Sequence, residues 1–330
     1  MKVHILDDWF DTLKTLPSFA ALSGHDVTIW NDHTDDVEVL AERLADAQVL
    51  VLFRERTPVT AALLERLPTL KLISQRSVYP HVDVPACTRN RVLLCSNMHS
   101  DTPSIAAAEL TFGLLLASAR QLPQQMSSLK RGEWQMGVGQ TVAGRTLGLY
   151  GYGRIARQVA IYAEAFGMHV QWWASEAGRQ RAISAGATVA SSRAEFFGNS
   201  DFVSLHVRLK PDTRGIITAS DLELMKPSAT LINTSRSALL EPGALESAVT
   251  AGRPGRLAID VFDVEPLTDT KDPLITHPNV ISTPHIGYVT EDELDMQFHD
   301  IYEQINAYSA GTPIHMINGD VWTDTDQTRH

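Results

Sequence analysis

Residues 147–173 read LGLYGYGRIARQVAIYAEAFGMHVQWW. A short β-prone run, LGLY, opens the stretch, and a glycine-rich turn follows it. Ile155, Val159, Tyr162 and Phe166 then recur on one helix face, Gly167 stops the helix, and HVQWW is a second β-prone run. In this strand–turn–helix–strand setting each small residue of Gly151-x-Gly153-x-x-Ala156 has a task. Gly151 makes the tight turn. Gly153 lets the backbone approach a pyrophosphate. Ala156 lets the helix pack closely on the strand, and the helix N-terminus offers free N–H groups and a positive dipole end. An ordinary strand–turn–helix without a ligand is the competing reading; the flanking strands favour a dinucleotide site.

One element of that pattern is missing. An acidic residue at the end of the second strand normally bonds the adenosine ribose of NAD. Here the chain continues Ala174-Ser175-Glu176. Either Glu176 substitutes from the loop, or Ser175 and Arg179 cradle the extra phosphate of NADP. The sequence leaves both open.

Outward from this stretch, a series of candidate strands continues with FVSLH (202–206), TLIN (230–233), LAIDV (257–261) and NVIST (279–283). Helical spacing fills the gaps between them, and Ser220-Asp221-Leu222-Glu223 reads as a capping box. An earlier series comprises KVHIL (2–6), DVTIW (26–30), VLVLF (49–53), KLISQ (71–75) and VLLCS (92–96). The alternation predicts parallel sheets wrapped by helices, an α/β fold with two similar sheet domains and a cleft between them. Between the series, Thr102-Pro103 is a helix start, and the apolar helix after it is expected to be buried. A second helical pattern runs from Glu291 to Ser309, and the polar tail TDTDQTRH is expected to be mobile.

Composition narrows the function. The 330 residues suit two domains at roughly 150 residues each. A net charge of −11 argues against nucleic acid and anionic membranes as partners. Two cysteines, Cys87 and Cys95, with no Cys-x-x-Cys suggest neither a disulfide framework nor a metal site. The N-terminus lacks the apolar core of a signal peptide, and the apolar run at 105–119 is broken by Glu109 and shorter than the ~20 residues of a membrane span. The expectation is a cytoplasmic protein.

Five ordered segments, VAGRTLGLYGYGRIARQVA, DFVSLHVRLKPDTRGIIT, LMKPSATLINTSRSALLE, LAIDVFDVEP and ISTPHIGYVTEDEL, together resemble the D-isomer-specific 2-hydroxyacid dehydrogenases. The resemblance covers nearly the whole chain and is strongest from 142 to 290. It implies two Rossmann-like domains, with a cofactor domain at 98–287 inserted into a flavodoxin-like substrate domain at 1–97 and 288–330. It also implies NAD or NADP as cofactor, a small 2-oxo or 2-hydroxy acid as substrate, and a homodimer built largely on the cofactor domain and RQLPQQMSSLKRGEWQ (120–135).

Three positions match the family's catalytic residues: Arg236 on the substrate carboxylate, and Glu265 with His285 as acid/base dyad. The chemistry calls for these types independently. Arginine's planar fork binds a carboxylate bidentately. Hydride addition to a ketone makes an alkoxide, which needs a proton from a group titrating near neutral pH, and a carboxylate beside a histidine orients the ring and favours its charged form. Singly, Arg236 reads as a surface ion pair, His285 as a loop histidine and Glu265 as a helix cap; the ordered set favours catalysis.

The resemblance carries further positions. Arg154 and Ile155 meet the pyrophosphate; Ser175 lies at the adenosine end; His206 and Thr213 line the cofactor. Thr234, Ser235 and Asp260 lie near the nicotinamide, with Asp260 on the carboxamide, and Gly287 is a further cofactor-binding position. No metal is implied. Three departures concern the substrate. The loop Arg76-Ser77-Val78-Tyr79-Pro80-His81-Val82-Asp83 has no glycine and is shorter than usual, leaving Ser77 and Val78 to donate N–H groups to the carboxylate. Arg208 stands where proline is common, and Ser237 replaces a glycine. Alternatives on the same fold are an NAD-sensing corepressor and a phosphite-type dehydrogenase.

Overall fold

The computed structural model describes residues 1–98 and 105–322. The Thr102-Pro103 helix start and the tail TDTDQTRH lie outside the described residues. The chain forms two compact units, one made of Met1–Thr102 with Thr290–His330 and the other of Pro103–Val289. These divisions fall a few residues beyond the expected 97/98 and 287/288. At the second, Thr290 caps the helix Glu291–Ser309, its hydroxyl accepting from the Glu293 amide, so it goes with that helix.

The first unit holds strands β1 (Lys2–Ile5), β2 (Asp26–Ile29), β3 (Val49–Val51), β4 (Leu72–Arg76) and β5 (Leu93–Asn97) in the order β2-β1-β3-β4-β5. Every pairing is parallel. β3 is buried along its length, as expected of a parallel strand covered on both faces. The helix Glu291–Ser309 returns to this sheet from the far end of the sequence. There the Ser74 hydroxyl donates to the Ile301 carbonyl at 2.9 Å, and Arg76 Nε meets Asp300 Oδ2 at 2.7 Å.

The second unit holds β6 (Thr146–Tyr150), β7 (His169–Trp173), β8 (Phe202–Leu205), β9 (Thr230–Asn233), β10 (Arg256–Ile259) and β11 (Val280–Ser282). The order is β11-β10-β9-β8-β6-β7, again all parallel. A parallel bridge from Trp172 to Val189 adds the start of one more strand beyond β7. Leu147, Leu149, Phe202, Ile232 and Ala258 face one apolar layer; Tyr150, Val203, Leu205, Leu231 and Ile259 face the other. Ala106–Arg120 belongs to the first layer and is mostly buried, its exposed positions including Glu109 and Arg120.

One helix start differs from expectation. Thr218, not Ser220, caps the helix Ala219–Leu224: its hydroxyl accepts from the Asp221 amide, and the Asp221 carboxylate accepts from the Thr218 amide at 2.7 Å. Ile217 is bridged to Leu240, so the chain is still extended there and turns helical two residues earlier than the Ser220 signal suggested.

Candidate active site and dinucleotide turn

In a doubly wound sheet the strand order reverses beside the first strand, and ligands collect at the carboxyl ends next to that reversal. In the second unit β6 is that strand, and Gly151 follows its last residue. Gly151 has φ +115°, and a Cβ there would lie 2.3 Å from the His206 carbonyl oxygen, so only glycine fits. Gly153 is different. A Cβ added to it meets no protein atom within 4 Å, and it stands at the N-cap of the helix Arg154–Ala165 with no side chain capping the turn. A side chain at 153 would therefore extend into space clear of protein atoms at the helix N-terminus, the position at which a pyrophosphate is held in such turns. Ala156 is fully buried and Ile155 half-buried against the same core. Arg154 opens the helix.

At the end of β7 the Ser175 hydroxyl accepts from the Gly178 amide at 3.3 Å and caps the next helix. Arg179 donates to the Ala174 carbonyl at 2.7 Å, pairs with Glu176 and lies 4.5 Å over the Trp173 ring. Glu176 and Arg179, the two candidates for discriminating the cofactor, thus hold each other.

At the end of β8, His206 Nε2 lies 2.9 Å from the Ser204 hydroxyl, and removal from water lowers the ring's pKa to about 4. Thr213 closes the loop that follows, donating to the Arg208 carbonyl and accepting from the Lys210 amide, each at 2.7 Å.

After β9, Asn233 brackets the turn: its Nδ2 donates to the Arg236 carbonyl at 2.9 Å and its Oδ1 accepts from the Ser235 amide at 3.0 Å. The Ser235 hydroxyl donates to the Leu205 carbonyl, and the Thr234 hydroxyl pairs with that of Thr111 at 2.6 Å. Arg236 Nη1 donates to the Ser235 carbonyl at 2.7 Å. Ser237 supplies a contact that a glycine lacks, its hydroxyl donating to the Phe262 carbonyl at 2.9 Å.

The Phe262 amide in turn donates to Glu265 Oε1 at 2.9 Å, and Glu265 Oε2 lies 2.6 Å from His285 Nδ1. The pair is half-buried. Burial pushes the Glu265 carboxyl up, but the His285 hydrogen bond and charge, the Phe262 amide and the Arg236 charge outweigh it, and the net shift is downward. Arg236, Glu265 and His285 thus share one neighbourhood. The contact at Nδ1 leaves His285 Nε2 as the nitrogen for proton exchange.

Asp260 has a role the sequence did not disclose. It is fully buried, and its carboxylate accepts from the Thr283 hydroxyl at 2.5 Å and from the Ile286 and Gly287 amides at 2.9 Å each. These bonds close the loop carrying His285, whose φ of +52° is the strained left-handed conformation. Burial raises the Asp260 pKa despite the three donors and the His285 charge. Thr283 and Asn233 were missed as well; a polar side chain at the end of a buried strand was their only signal.

In the first unit, Ser77 takes φ +76°, the conformation a glycine would favour. Its amide donates to the Asn97 carbonyl at 3.0 Å. Further along the same loop, the His81 ring nitrogens are buried without a hydrogen-bond partner among the described residues, and burial lowers that ring's pKa. Among the described residues no group of His, Cys, Asp or Glu side chains is placed to hold a metal ion, and no helix is long and apolar enough to cross a membrane.

Residues 112–287 match the family model described as "D-isomer specific 2-hydroxyacid dehydrogenase, NAD binding domain", so NAD is the cofactor for which this segment is built. The chain is 39% identical to a D-3-phosphoglycerate dehydrogenase of Methanocaldococcus jannaschii over 83% of its own length and 52% of the relative's. It thus spans about half of that protein. It is 32% identical to a glyoxylate reductase of Thermococcus litoralis, covering 91% of this chain and 93% of the relative. The crystal structure of an oxidoreductase from Ralstonia solanacearum superposes with a TM-score of 0.93 at 40% identity, covering 98% of each chain. Sequence, topology and these likenesses agree: the chain belongs to the D-isomer-specific 2-hydroxyacid dehydrogenase family.

Proposed function

We propose that the chain is an oxidoreductase that moves a hydride between NAD(P)H and a small 2-oxo or D-2-hydroxy acid. The observation that carries this reading is the 2.6 Å Glu265–His285 pair, with the charge of Arg236 acting on Glu265, in the unit that also holds the Gly151–Gly153 turn. In this reading residues 98–287 serve the cofactor, and residues 1–97 with 288–330 serve the substrate.

The dinucleotide, when bound, supplies or accepts the hydride. Gly151, Gly153, Arg154 and Ile155 receive its pyrophosphate, Ser175 the adenosine end, and His206, Thr213, Thr234, Ser235, Asp260 and Gly287 the remainder. Arg236 grips the substrate carboxylate through its planar fork. His285 gives its Nε2 proton to the oxygen that becomes the hydroxyl, and takes it back in the oxidative direction. Glu265, at 2.6 Å from Nδ1, sets the ring's orientation. His206, neutral near pH 7 with its pKa about 4, adds no charge beside the phosphates. Ala174 places no carboxylate at the end of β7, so both NADH and NADPH are expected to serve.

The reading extends to a homodimer. Met126, Leu129, Trp134 and Val138 are all at least 60% exposed in one short segment, an apolar surface suited to a second copy.

Turnover of a panel of 2-oxo acids with each reduced cofactor tests the reaction class. Arg236→Lys keeps the charge and loses the fork, so kcat/KM for the acid should fall at least about a hundredfold, or ~2.7 kcal/mol, with cofactor Kd unchanged. No turnover with any acid, despite tight NADH binding, would favour a binding module instead.

A further inference from the structure

The second unit has a cavity at the end of its sheet opposite the dinucleotide turn. Gly151 and Asp260 follow the last residues of β6 and β10, at the carboxyl edge. The cavity lies at the amino edge, where Arg256 opens β10 and Asn279 precedes β11. Ser118 and Gln121 at the end of the helix Ala106–Arg120, Gln124 of the helix Leu122–Lys130, and Met136 also line it. Its volume is about 100 Å³, room for roughly three waters at ~30 Å³ each.

The wall is chemically unbalanced. Arg256 is partly buried and always charged. Among the described residues no carboxylate pairs with it, and no acidic side chain lines the cavity. The carbonyls at the neighbouring helix end are already used: Ala117 and Ser118 accept from the Gln121 amide, and Ala119 from the Gln140 amide at 2.7 Å. The Ser118 hydroxyl pairs with that of Thr230 at 2.9 Å. Three side-chain amides remain. Gln124 Nε2 donates to the Pro278 carbonyl at 2.8 Å, while its Oε1 is buried without a partner among the described residues. The Gln121 and Asn279 side-chain amides make no hydrogen bond among the described residues. A guanidinium withdrawn from water favours an anion, and amide oxygens favour a donor.

We propose that this cavity is a binding site for a small hydroxy carboxylate, separate from the dinucleotide turn and the Glu265–His285 pair. The acid's carboxylate meets the Arg256 fork, and its hydroxyl donates to an amide oxygen of the wall. An amino acid fits less well, because its ammonium group finds no acid there and lies near a guanidinium. The ligand belongs to the class of acid that the proposed reaction yields. Only that link rests on the proposed function; the site itself rests on its wall.

Met136 is a probe inside the site, one of eight methionines in the chain. The whole chain is labelled with ¹³C-methyl methionine, and the Met136 resonance is assigned with Met136→Leu. It is then followed by NMR during titration with glycolate, D-lactate, acetate and glycine. Glycolate or D-lactate should shift it saturably, and Arg256→Gln should weaken that binding at least about tenfold. Where an oxo acid is turned over, kcat and KM of Arg256→Gln should stay within about twofold of wild type, since Arg256 lies at the other edge of the sheet. A Met136 resonance blind to every acid at tens of millimolar overturns the site, as does unchanged affinity in Arg256→Gln. Equal affinity for acetate, or a preference for glycine, overturns the hydroxy acid as its ligand. If a second copy fills the cavity instead, Leu129→Asp with Val138→Asp moves the Met136 resonance and the acids do not, which also overturns the proposal. Absence of turnover with every oxo acid leaves the titration readable, so the two readings fail separately.

Discussion

At the scale of single residues, the Glu265–His285 contact decides the pH behaviour. Reduction needs His285 protonated, and oxidation needs it neutral. Burial pushes the Glu265 carboxyl up, and the His285 hydrogen bond and charge carry it below its ordinary range, so a charged carboxylate sits against the ring. Glu265→Gln keeps the shape and removes that charge. The alkaline limb of kcat/KM for reduction should then move to lower pH, and oxidation should set in at lower pH as well. Unmoved pH profiles in both directions would leave Glu265 as a structural acid.

His206 offers an independent titration in the stability of the fold. Its folded pKa of about 4 lies below the 6.5 of a free imidazole, so the unfolded chain binds the proton first. The stability tied to the neutral ring is present above that value and is lost as pH falls from there toward 4. Discounted for residual exposure, the loss is at most about 3 kcal/mol. Urea unfolding of wild type and His206→Gln at several pH values should show the wild type losing more stability than the variant across this window.

At the scale of elements, the two glycines of one turn should fail in different ways. Gly151 faces a carbonyl at φ +115°, so Gly151→Val strains the backbone and forces a clash. It should lower Tm or prevent folding. Gly153 faces open space, so Gly153→Val should fold with nearly unchanged Tm and lose NADH affinity by at least about a hundredfold in a fluorescence titration, ~2.7 kcal/mol. Equal Tm losses in the two variants would contradict the cradle.

The strands, the turn and the helix Glu291–Ser309 were legible because each is written locally, in apolar runs, helical spacing and small residues. Three features were not. The grip of Asp260 on the His285 loop joins residues more than twenty apart in sequence. The left-handed Ser77 depends on Gln75, Ser96 and Asn97 around it. The start of the helix Ala219–Leu224 was set by a bridge to Leu240 rather than by the serine that resembled a cap. In each case the deciding partner is tertiary.

At the scale of the whole molecule, the exposed segment with Met126, Leu129, Trp134 and Val138 bears on assembly. The proposed homodimer predicts that Leu129→Asp with Val138→Asp gives a smaller species than wild type, a monomer, in light scattering at micromolar concentration. Both side chains are largely exposed, so the substitutions should leave the monomer fold intact. A wild-type protein that is already monomeric at that concentration would exclude the homodimer.

The first sheet begins with the opening residues of the chain, yet Ser74 and Arg76 on it find their partners Ile301 and Asp300 only after the whole second unit has been made. During synthesis roughly 190 residues must emerge before those partners do, about 10–40 s at ribosomal speed. The contiguous unit can collapse while the interrupted one waits with an apolar flank uncovered. The interrupted unit therefore depends on a helix that emerges only after the contiguous unit is complete.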